Sequence, residues 1–305
     1  KVILPSGEMG YANYHPHLQF GDKSIEEALS ALAKNELFPQ LHLNLTYARQ
    51  DAQNRREKLD ALAGAFLLEN HFFAPTIKAL DEQVLRDIKK SGFKYIKIKM
   101  GSDLDAEVAW LEKFCSLLGE LGLVLRLDFN QKLSEKEFAK ILQAHHKSWQ
   151  SIIDFYEDPT LYNPESWQKW QSLYNAPLAL DSFDLGEFKK FPGVKTLVLK
   201  PSRLNCVEFL KRQADPGAYR YVITHYMDHP VGMATAAAVA LRLKFFLKDK
   251  IDVCGLLPPP HIQLECWNIP VNGAHLVYPD GMGVGFSRNL SGLQWEFAGE
   301  LKLEQ

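Results

Sequence analysis

Five short apolar segments in the middle of the chain each end on a lysine or a carboxylate. Their last residues are, in chain order, Lys99, Asp128, Glu157, Asp181 and Lys200. If the segments are parallel neighbouring strands, their ends meet at one edge and form an arc with an acidic centre and an amine on each side. Such an arc can hold a divalent cation between two proton-transfer groups. The spacing therefore predicts a site for metal-assisted proton transfer.

Alternation along the strands places further charges on the same face. Lys97 lies two residues before Lys99 and therefore shares its face. By the same rule, one face of the next strand carries Arg126, Asp128 and Asn130. Charged side chains that point into the interior of a protein are costly unless they are paired or bind an ion. A purely structural salt-bridge network is the alternative interpretation, and it is disfavoured because the charges cluster where strands end.

The donor set indicates which cation would bind and which group would move the proton. Three carboxylates favour Mg²⁺, with Mn²⁺ as a substitute, and no His or Cys cluster competes to make a zinc site. A cation on a substrate carboxylate stabilises the dianion that forms when the neighbouring carbon loses its proton. The base must be neutral near pH 7, and a like charge beside a lysine lowers its pKa. Lys97 supplies that charge to Lys99, while Lys200 is a second acid/base or a fixed cation.

The elements that must position these residues recur with a regular spacing. Eight apolar segments end at residues 74, 99, 128, 157, 181, 200, 225 and 256, and helical patterns separate them. Ser134 opens a capping box, and Asn163 precedes a proline at the first position of a helix. Eight strand–helix repeats predict an α/β fold, a (β/α)₈-type TIM barrel with its active site at the C-terminal ends of the strands.

The two ends of the chain lack this repeat. Residues 1–10 are predicted to form a strand and turn, and residues 11–22 an aromatic and His-rich loop. Ser24 opens a first helix with a capping box, and a second helix is predicted over residues 43–66. We therefore predict an α+β capping domain at 1–69, a barrel at 70–269 and a tail at 270–305 that returns to the capping domain.

Composition limits the partners and the compartment. The net charge of −2 gives no reason to expect nucleic acid or an anionic membrane as a partner. The four cysteines form no C-x-x-C pair, which favours free thiols in the cytoplasm. The most apolar stretch, residues 233–247, carries two basic residues and is too short to span a bilayer. We expect a cytoplasmic protein that acts on a small-molecule carboxylate, with monomer and homo-oligomer both open.

Five motifs taken together resemble the enolase superfamily, in its muconate-lactonizing subgroup. They are Lys-x-Lys at 97–99, Leu-Arg-Leu-Asp-Phe-Asn at 125–130, Glu-Asp-Pro at 157–159, Ala-Leu-Asp-Ser at 179–182 and Leu-Lys-Pro-Ser at 199–202. A turn at 280–285 is similar to the end of those proteins, so the likeness covers nearly the whole chain. The resemblance implies a lysine base working with Mg²⁺.

Within that subgroup the motifs are most similar to those of the o-succinylbenzoate synthases. These enzymes of menaquinone biosynthesis dehydrate 2-succinyl-6-hydroxy-2,4-cyclohexadiene-1-carboxylate to o-succinylbenzoate. The likeness implies that Lys99 removes the proton and returns it to the departing hydroxyl, while Lys200 stabilises the enediolate. Lys97 would tune Lys99 and contact the substrate carboxylate, and Arg126 and Asn130 would support the site. The implied Mg²⁺ ligands are Asp128, Glu157 and Asp181.

Departures from the family's motifs concern the substrate more than the metal. Ser182 follows the third ligand where relatives usually carry Glu, and Asp228 also stands where Glu is common. Thr224 and His225 replace a serine-rich run, and the resemblance implies that this region contacts the distal part of the substrate. The remaining candidate, the His15-Pro16-His17 loop, is expected to be a lid contact.

Three alternatives stay open at this point. N-acylamino acid racemases share the two lysines. Dipeptide epimerases are the nearest competitor, but they typically carry Asp-x-Asp on the eighth strand, which residues 251–256 lack. A non-catalytic barrel that keeps the charged arc as structure is the third.

Overall fold

The first section of the chain is a small hairpin followed by two helices. In the computed structural model, β1 (Val2–Ile3) pairs antiparallel with β2 (Met9–Gly10), and α1 (Ile25–Lys34) and α2 (Pro39–Arg56) follow. The capping box at Ser24 is confirmed. The predicted bounds of the second helix are wrong. The helix begins at Pro39, because proline suits a first turn, and it ends at Arg56, shortly before Lys58 turns into the left-handed region with φ of 55°.

Residues 1–181, 190–213, 215–258, 267, 269–277 and 281–300 are described, without the side chain of His145. The short helix expected behind Asp181, together with Ser182, Cys266 and Asp280, lies outside these ranges.

Among the described residues, seven parallel strands form the central sheet, in the order in which they occur along the chain. They are β3 (Phe72–Ala74), β4 (Tyr95–Lys99), β5 (Val124–Asp128), β6 (Ile153–Glu157), β7 (Leu178–Leu180), β8 (Val194–Leu199) and β9 (Arg220–Ile223). Because every neighbour in the sheet is also a neighbour in sequence, all the strand ends that carry the predicted site residues meet at one edge. The α/β fold predicted from the repeat is confirmed.

The eighth predicted strand is not a regular strand, although its segment closes the ring. Ile251 and Gly255 bridge singly to residues 221 and 224, and Cys254 bridges to Asn70 before β3. The backbone N–H of Cys254 donates to Glu69 (2.7 Å), and its carbonyl accepts from the N–H of residue 71 (2.9 Å). Because these three bridges are isolated from one another, they do not form a continuous strand. The segment nevertheless joins β9 to β3.

Helices connect the strands and cover their outer face. They are α3 (Glu82–Lys90), α4 (Leu104–Leu121), α5 (Glu135–Trp149), α6 (Pro164–Tyr174), α7 (Cys206–Arg212) and α8 (Pro230–Leu247). The predicted capping box at Ser134 and the Asn163 N-cap are both present. The outward residues of the strands, such as Ile96, Ile98 and Leu127, are fully buried against this layer. That burial fixes the register of each strand and therefore sends the alternate, charged residues inward.

The last section of the chain returns to the first one. It contains β10 (Val271–Asn272), β11 (His275–Leu276) and α9 (Ser287–Ser291). Arg55 of α2 donates to the carbonyl of Gly285 (2.9 Å), and Asp51 accepts from the N–H of Val284 (2.8 Å). The rings of Tyr11 and Trp295 lie 5.5 Å apart. These contacts support the return of the tail to the first section, while the division at residues 69 and 269 stays a prediction.

One helical stretch in the described part of the chain, residues 230–250, is long and apolar enough to cross a membrane by length and composition. The sequence-based length argument is therefore wrong, because the helix begins at Pro230 and is extended by a turn to Lys250. Burial gives the better distinction, since 56% of the stretch is enclosed by the fold, as in a core helix. The three cysteines within the described residues, Cys115, Cys206 and Cys254, are free thiols.

Candidate active site

The ends of neighbouring strands lie level with one another and bring the predicted residues together. In the register of the sheet, Lys99 of β4 pairs with Asp128 of β5, and Asp128 pairs with Glu157 of β6. Glu157 pairs with Ala179 of β7, two residues before Asp181. Because parallel strands with matched register end at the same height, the arc inferred from spacing is present in the fold.

Lysine ammonium groups lie between the carboxylates of this arc. Lys97 Nζ lies 2.9 Å from Asp128 Oδ2 and 2.6 Å from Glu157 Oε1. Lys99 Nζ lies 2.6 Å from Asp128 Oδ2 and donates to Asn130 Oδ1 at 2.8 Å. On the far side of the arc, Lys200 Nζ forms an ion pair with Asp181 Oδ2.

The three lysines differ in how far they reach solvent. The side chain of Lys97 is 11% exposed, against 34% for Lys99 and 25% for Lys200. Lys97 is therefore enclosed beneath the carboxylates, whereas the other two amines flank the opening. A substrate that enters from solvent meets Lys99 and Lys200 before it meets Lys97.

Burial and charge act against each other in the acidic centre. Burial disfavours the charged form of Lys97, but Asp128 and Glu157 hold its pKa above its usual value. Burial also opposes ionisation of Asp128, yet Lys97 and Lys99 keep the pKa of this carboxyl well below its usual range. For Glu157, burial and the nearby charge of Asp128 prevail over Lys97 and raise the pKa. Burial, more than any other influence, therefore disfavours ionisation of Glu157.

The donor atoms of this centre fit a hard divalent cation. Glu157 Oε2 and Asp181 Oδ1 are buried and have no hydrogen-bond partner among the described residues, although buried carboxylate oxygens are normally paired. All the donors are oxygens, which matches Mg²⁺. Within the described ranges, no three His, Cys, Asp or Glu side chains stand as a preformed metal site, because the lysine amines occupy the carboxylates. The side chains whose oxygens could hold Mg²⁺ at this centre are Asp128, Glu157 and Asp181.

Asp158 holds the third carboxylate in place, and the sequence reasoning did not identify its role. Its Oδ1 accepts from the backbone N–H of Asp181 at 3.0 Å. Its own backbone N–H donates to the carbonyl of Ala179 (3.0 Å), and its carbonyl accepts from the N–H of Gln131 (2.7 Å). Asp158 has a φ of 41°, an uncommon conformation for a residue with a side chain. The signal that could have revealed it was the Glu-Asp-Pro motif, in which Asp158 precedes a proline.

Arg126 lies one layer below the arc. It is fully buried, two residues before Asp128 on β5. Its guanidinium pairs with Asp154 (2.8 Å) and Asp252 (3.4 Å) and donates to the carbonyl of Val253 (2.6 Å). Arg126 thus ties the inner wall to the segment that closes the ring. Its predicted support of the site comes from beneath, through the barrel interior.

The three residues predicted to contact the distal part of the substrate lie at the end of β9. Thr224 is buried, and its Oγ1 has no hydrogen-bond partner in the part of the chain that the structure describes. His225 Nε2 lies 3.2 Å from the carbonyl of Leu257. Burial lowers the pKa of His225 to about 4. Asp228 is 1% exposed, and its carboxylate accepts from the backbone N–H of Tyr226 at 2.9 Å. Their predicted contacts with substrate stay a prediction.

The loop at 11–22 reaches the barrel beside Lys200. His17 Nε2 lies 2.9 Å from the carbonyl of Tyr226, and Asp22 forms an ion pair with Arg203 at 3.0 Å. Sequence reasoning expected a lid contact from the His-Pro-His stretch. It missed Asp22, Arg203 and Tyr226, for which only the three-dimensional packing gives a signal.

Comparison with known proteins places this geometry in a family. Residues 79–289, about two thirds of the chain, match the family model described as enolase C-terminal domain-like. The chain is a member of the enolase superfamily. It is 30% identical over 304 residues to the o-succinylbenzoate synthase of Bdellovibrio bacteriovorus, an alignment that covers 97% of this chain and 89% of the relative. The resemblance seen in the motifs is confirmed, and the chain is an enzyme of that superfamily.

Solved structures of other enzymes share the fold. The L-Ala-D/L-Glu epimerase from Bacillus subtilis has a TM-score of 0.72 at 17% identity, covering 93% of this chain and 88% of its own. A muconate cycloisomerase from Azorhizobium caulinodans has a TM-score of 0.71 at 20% identity, covering 94% of this chain and 90% of its own. At these identities the likeness shows a shared fold. The reaction of this chain must therefore be inferred from its own side chains.

Proposed function

We propose that this enzyme is a Mg²⁺-dependent hydro-lyase, an o-succinylbenzoate synthase of menaquinone biosynthesis. It would convert 2-succinyl-6-hydroxy-2,4-cyclohexadiene-1-carboxylate to o-succinylbenzoate and water. The observation that carries the proposal is the placement of Lys99 and Lys200 on opposite sides of three carboxylates at the barrel opening, of which Asp128 and Glu157 are buried. The 30% identity to a curated o-succinylbenzoate synthase supports the choice of reaction.

The acidic centre would bind the cation and, through it, the substrate carboxylate. Bound Mg²⁺ would add positive charge beside the crowded carboxylates and would stabilise charge that develops on the substrate. Its proposed ligands are Asp128, Glu157 and Asp181. Mn²⁺, which accepts the same oxygen donors, would substitute for it.

Lys99 is the proposed general base. The neutral amine would take the proton from the carbon next to the substrate carboxylate, leaving the electron pair on an enediolate. The resulting ammonium would then give this proton to the departing hydroxyl, so that the carbon–oxygen bond breaks and water leaves. Asn130 and Asp128 hold the amine from two sides, which fixes its direction. Lys99 is also the most exposed of the three lysines, as contact with a substrate requires.

The other two lysines would act as cations. Lys200 would face the enediolate from across the arc, where its ammonium favours the developing negative charge. Lys97, enclosed between Asp128 and Glu157, would hold the two carboxylates in place, tune Lys99 and contact the edge of the substrate carboxylate. The sequence resemblance also implies support from Arg126 and Asn130.

Racemisation of N-acylamino acids or epimerisation of dipeptides is the second candidate. Two lysines on opposite sides of one site can remove a proton from one face of a carbon and return a proton to the other. That geometry favours this reaction class as well as dehydration. The third alternative from the sequence, a non-catalytic barrel, is set aside because the chain is 30% identical over 97% of its length to an o-succinylbenzoate synthase, which is an enzyme.

Turnover of the two substrate classes distinguishes these proposals. The purified protein is incubated with the cyclohexadiene substrate in Mg²⁺ and, separately, in EDTA, and loss of the diene absorbance is followed. We expect Mg²⁺-dependent dehydration. In parallel, N-succinyl amino acids in deuterium oxide report exchange at the α-carbon. Exchange without dehydration would favour the racemase, and inactivity toward both would contradict the proposed function.

A further inference from the structure

We propose that Tyr226 is a positioning residue for Lys200, and that the loop at 11–22 holds Tyr226 in place. This inference rests on the proposed role of Lys200 as the cation that faces the intermediate. Its consequence is that Lys200 is aligned when the loop is seated on the barrel.

The contact between Tyr226 and Lys200 is direct. Lys200 Nζ lies over the ring of Tyr226, 5.6 Å from its centroid. The same ammonium forms an ion pair with Asp181, so its direction is set by a carboxylate and by the face of an aromatic ring. A four-carbon side chain that is only a quarter exposed has few other ways to lie once both neighbours are fixed.

Arg203 holds the ring of Tyr226 through contacts of its guanidinium. Its guanidinium stacks at 4.7 Å from the ring centroid and donates a hydrogen bond to the phenol oxygen. The backbone of Tyr226 is fixed as well, because its N–H donates to Asp228. Tyr226 is 6% exposed. A ring held at its face, its hydroxyl and its backbone is a rigid surface for Lys200.

The loop at 11–22 completes this arrangement from the first section of the chain. Asp22 is buried and uses both carboxylate oxygens, one for Arg203 and one for the backbone N–H of His17. His17 in turn contacts the backbone carbonyl of Tyr226 and packs its ring edge-on against the tyrosine ring at 4.8 Å. A chain of contacts therefore runs from Asp22 through Arg203 and Tyr226 to Lys200.

The contact itself is tested by NMR of protein whose lysines carry ¹³C-methyl labels. The Lys200 signal is assigned by its absence from the Lys200→Arg variant. The ring current of Tyr226 should displace this signal from those of the other lysines. We expect the displacement to be lost in Tyr226→Leu and kept in Tyr226→Phe, while Tyr174→Leu, a tyrosine change on α6, leaves it unaltered. A Lys200 signal that is the same in Tyr226→Leu and in the unchanged protein would overturn the inference.

Turnover gives the second test. With the cyclohexadiene substrate, Tyr226→Leu should lower kcat by about 10- to 100-fold through misplacement of Lys200, with a smaller change in KM. Tyr226→Phe should restore most of kcat. In a Lys200→Ala background, Tyr226→Leu should add little, because both changes remove the same interaction. Full additivity of the two losses would contradict the positioning role.

The two tests separate this inference from the proposed function. If the unchanged protein fails to dehydrate the substrate, the proposed function is wrong, while the labelled Lys200 signal still decides whether Tyr226 positions that amine. An Asp22→Asn variant extends the NMR test to the loop. Movement of the Lys200 signal in this variant would support the coupling, and an unmoved signal would overturn the part assigned to the loop.

Discussion

The stability of the barrel interior depends on the positive charge of Lys97. It lies within hydrogen-bond distance of two buried carboxylates, Asp128 and Glu157. Removing one member of a buried ionic cluster leaves uncompensated charge, whereas a surface pair contributes little. Lys94, one residue before the same strand, forms an exposed pair with Glu69 and provides a matched comparison.

We expect Lys97→Met to lower the free energy of unfolding in EDTA by about 3–5 kcal/mol, as for other broken buried pairs. Because Mg²⁺ replaces the missing positive charge, saturating Mg²⁺ should recover part of the loss. Urea unfolding at pH 7.5 with and without Mg²⁺ measures both effects, and Lys94→Met is the control. Equal, small losses for the two variants would contradict the assigned role of Lys97.

His71 makes stability depend on pH. It is buried beside Arg126, whose guanidinium lies 3.1 Å from its Nδ1. Burial and the neighbouring Arg126 charge lower the pKa of His71 well below its usual value. The native protein therefore binds fewer protons than the unfolded chain once the pH falls below about 6.5, so this residue's contribution reduces stability as the pH falls.

A His71→Gln variant should lose less stability than the unchanged protein between pH 7 and pH 5. The substituted amide does not titrate, so the histidine contribution disappears while other groups keep theirs. Urea unfolding at several pH values gives the two slopes. Parallel slopes would show that His71 does not take up a proton on unfolding.

At the scale of elements, the turn after β6 sets the geometry of the third carboxylate. Asp158 uses its side chain to hold the N–H of Asp181, and it does so from a left-handed backbone conformation. Asparagine tolerates that conformation and keeps an acceptor oxygen, whereas alanine has no acceptor. Asp158→Asn thus keeps both the turn and the hydrogen bond, whereas Asp158→Ala removes the acceptor.

Asp158→Ala is expected to weaken Mg²⁺ binding by about 10- to 100-fold, the usual effect of losing a group that orients a ligand. Asp158→Asn should bind close to the original affinity. Isothermal titration of Mg²⁺ measures both, with Asp105→Ala on the exposed first turn of α4 as a control. If Asp158→Ala and Asp158→Asn bind Mg²⁺ equally, the side-chain hydrogen bond is not what orients Asp181.

The strands that carry the arc were predictable because their pattern is local. β4 ends at Lys99 as predicted, and α4 lies between β4 and β5, where a helical pattern was predicted, since alternation and helical periodicity are set by the residues themselves. The prediction of a regular eighth strand was wrong. The apolar residues at 251–256 do not show whether a neighbouring strand offers a continuous row of backbone hydrogen-bond partners. The end of α2 was misplaced because the Ala-rich pattern continues past the turn at Lys58.

At the scale of the whole molecule, the site depends on sections far apart in the chain. The spacing of the motifs predicted that the lysines and carboxylates lie together. The contact of the loop at 11–22 with Tyr226, in contrast, joins residues more than 200 positions apart. Tyr47 of α2 likewise donates to the carbonyl of Pro201, next to Lys200. No local pattern specifies such pairs, so these supports of the site could not be predicted from sequence.

Metal binding should stabilise the whole fold, because the carboxylate arc is assembled only in the native state. At 100 times the dissociation constant, Mg²⁺ would add about 2.7 kcal/mol. Thermal unfolding in Mg²⁺ should therefore occur at a higher temperature than in EDTA at matched ionic strength. The rise should be lost in Glu157→Gln. An equal rise in that variant would mean that Mg²⁺ binds elsewhere.

The most direct test of the proposed base is turnover by Lys99→Ala, with Lys94→Ala as a matched control. General acid–base catalysis contributes about 10²- to 10⁴-fold, so we expect kcat for the cyclohexadiene substrate to fall by at least that lower factor. Thermal unfolding and Mg²⁺ binding should stay close to those of the unchanged protein, and Lys94→Ala should keep full activity. A Lys99→Ala protein that dehydrates the substrate at the original rate would exclude Lys99 as the base.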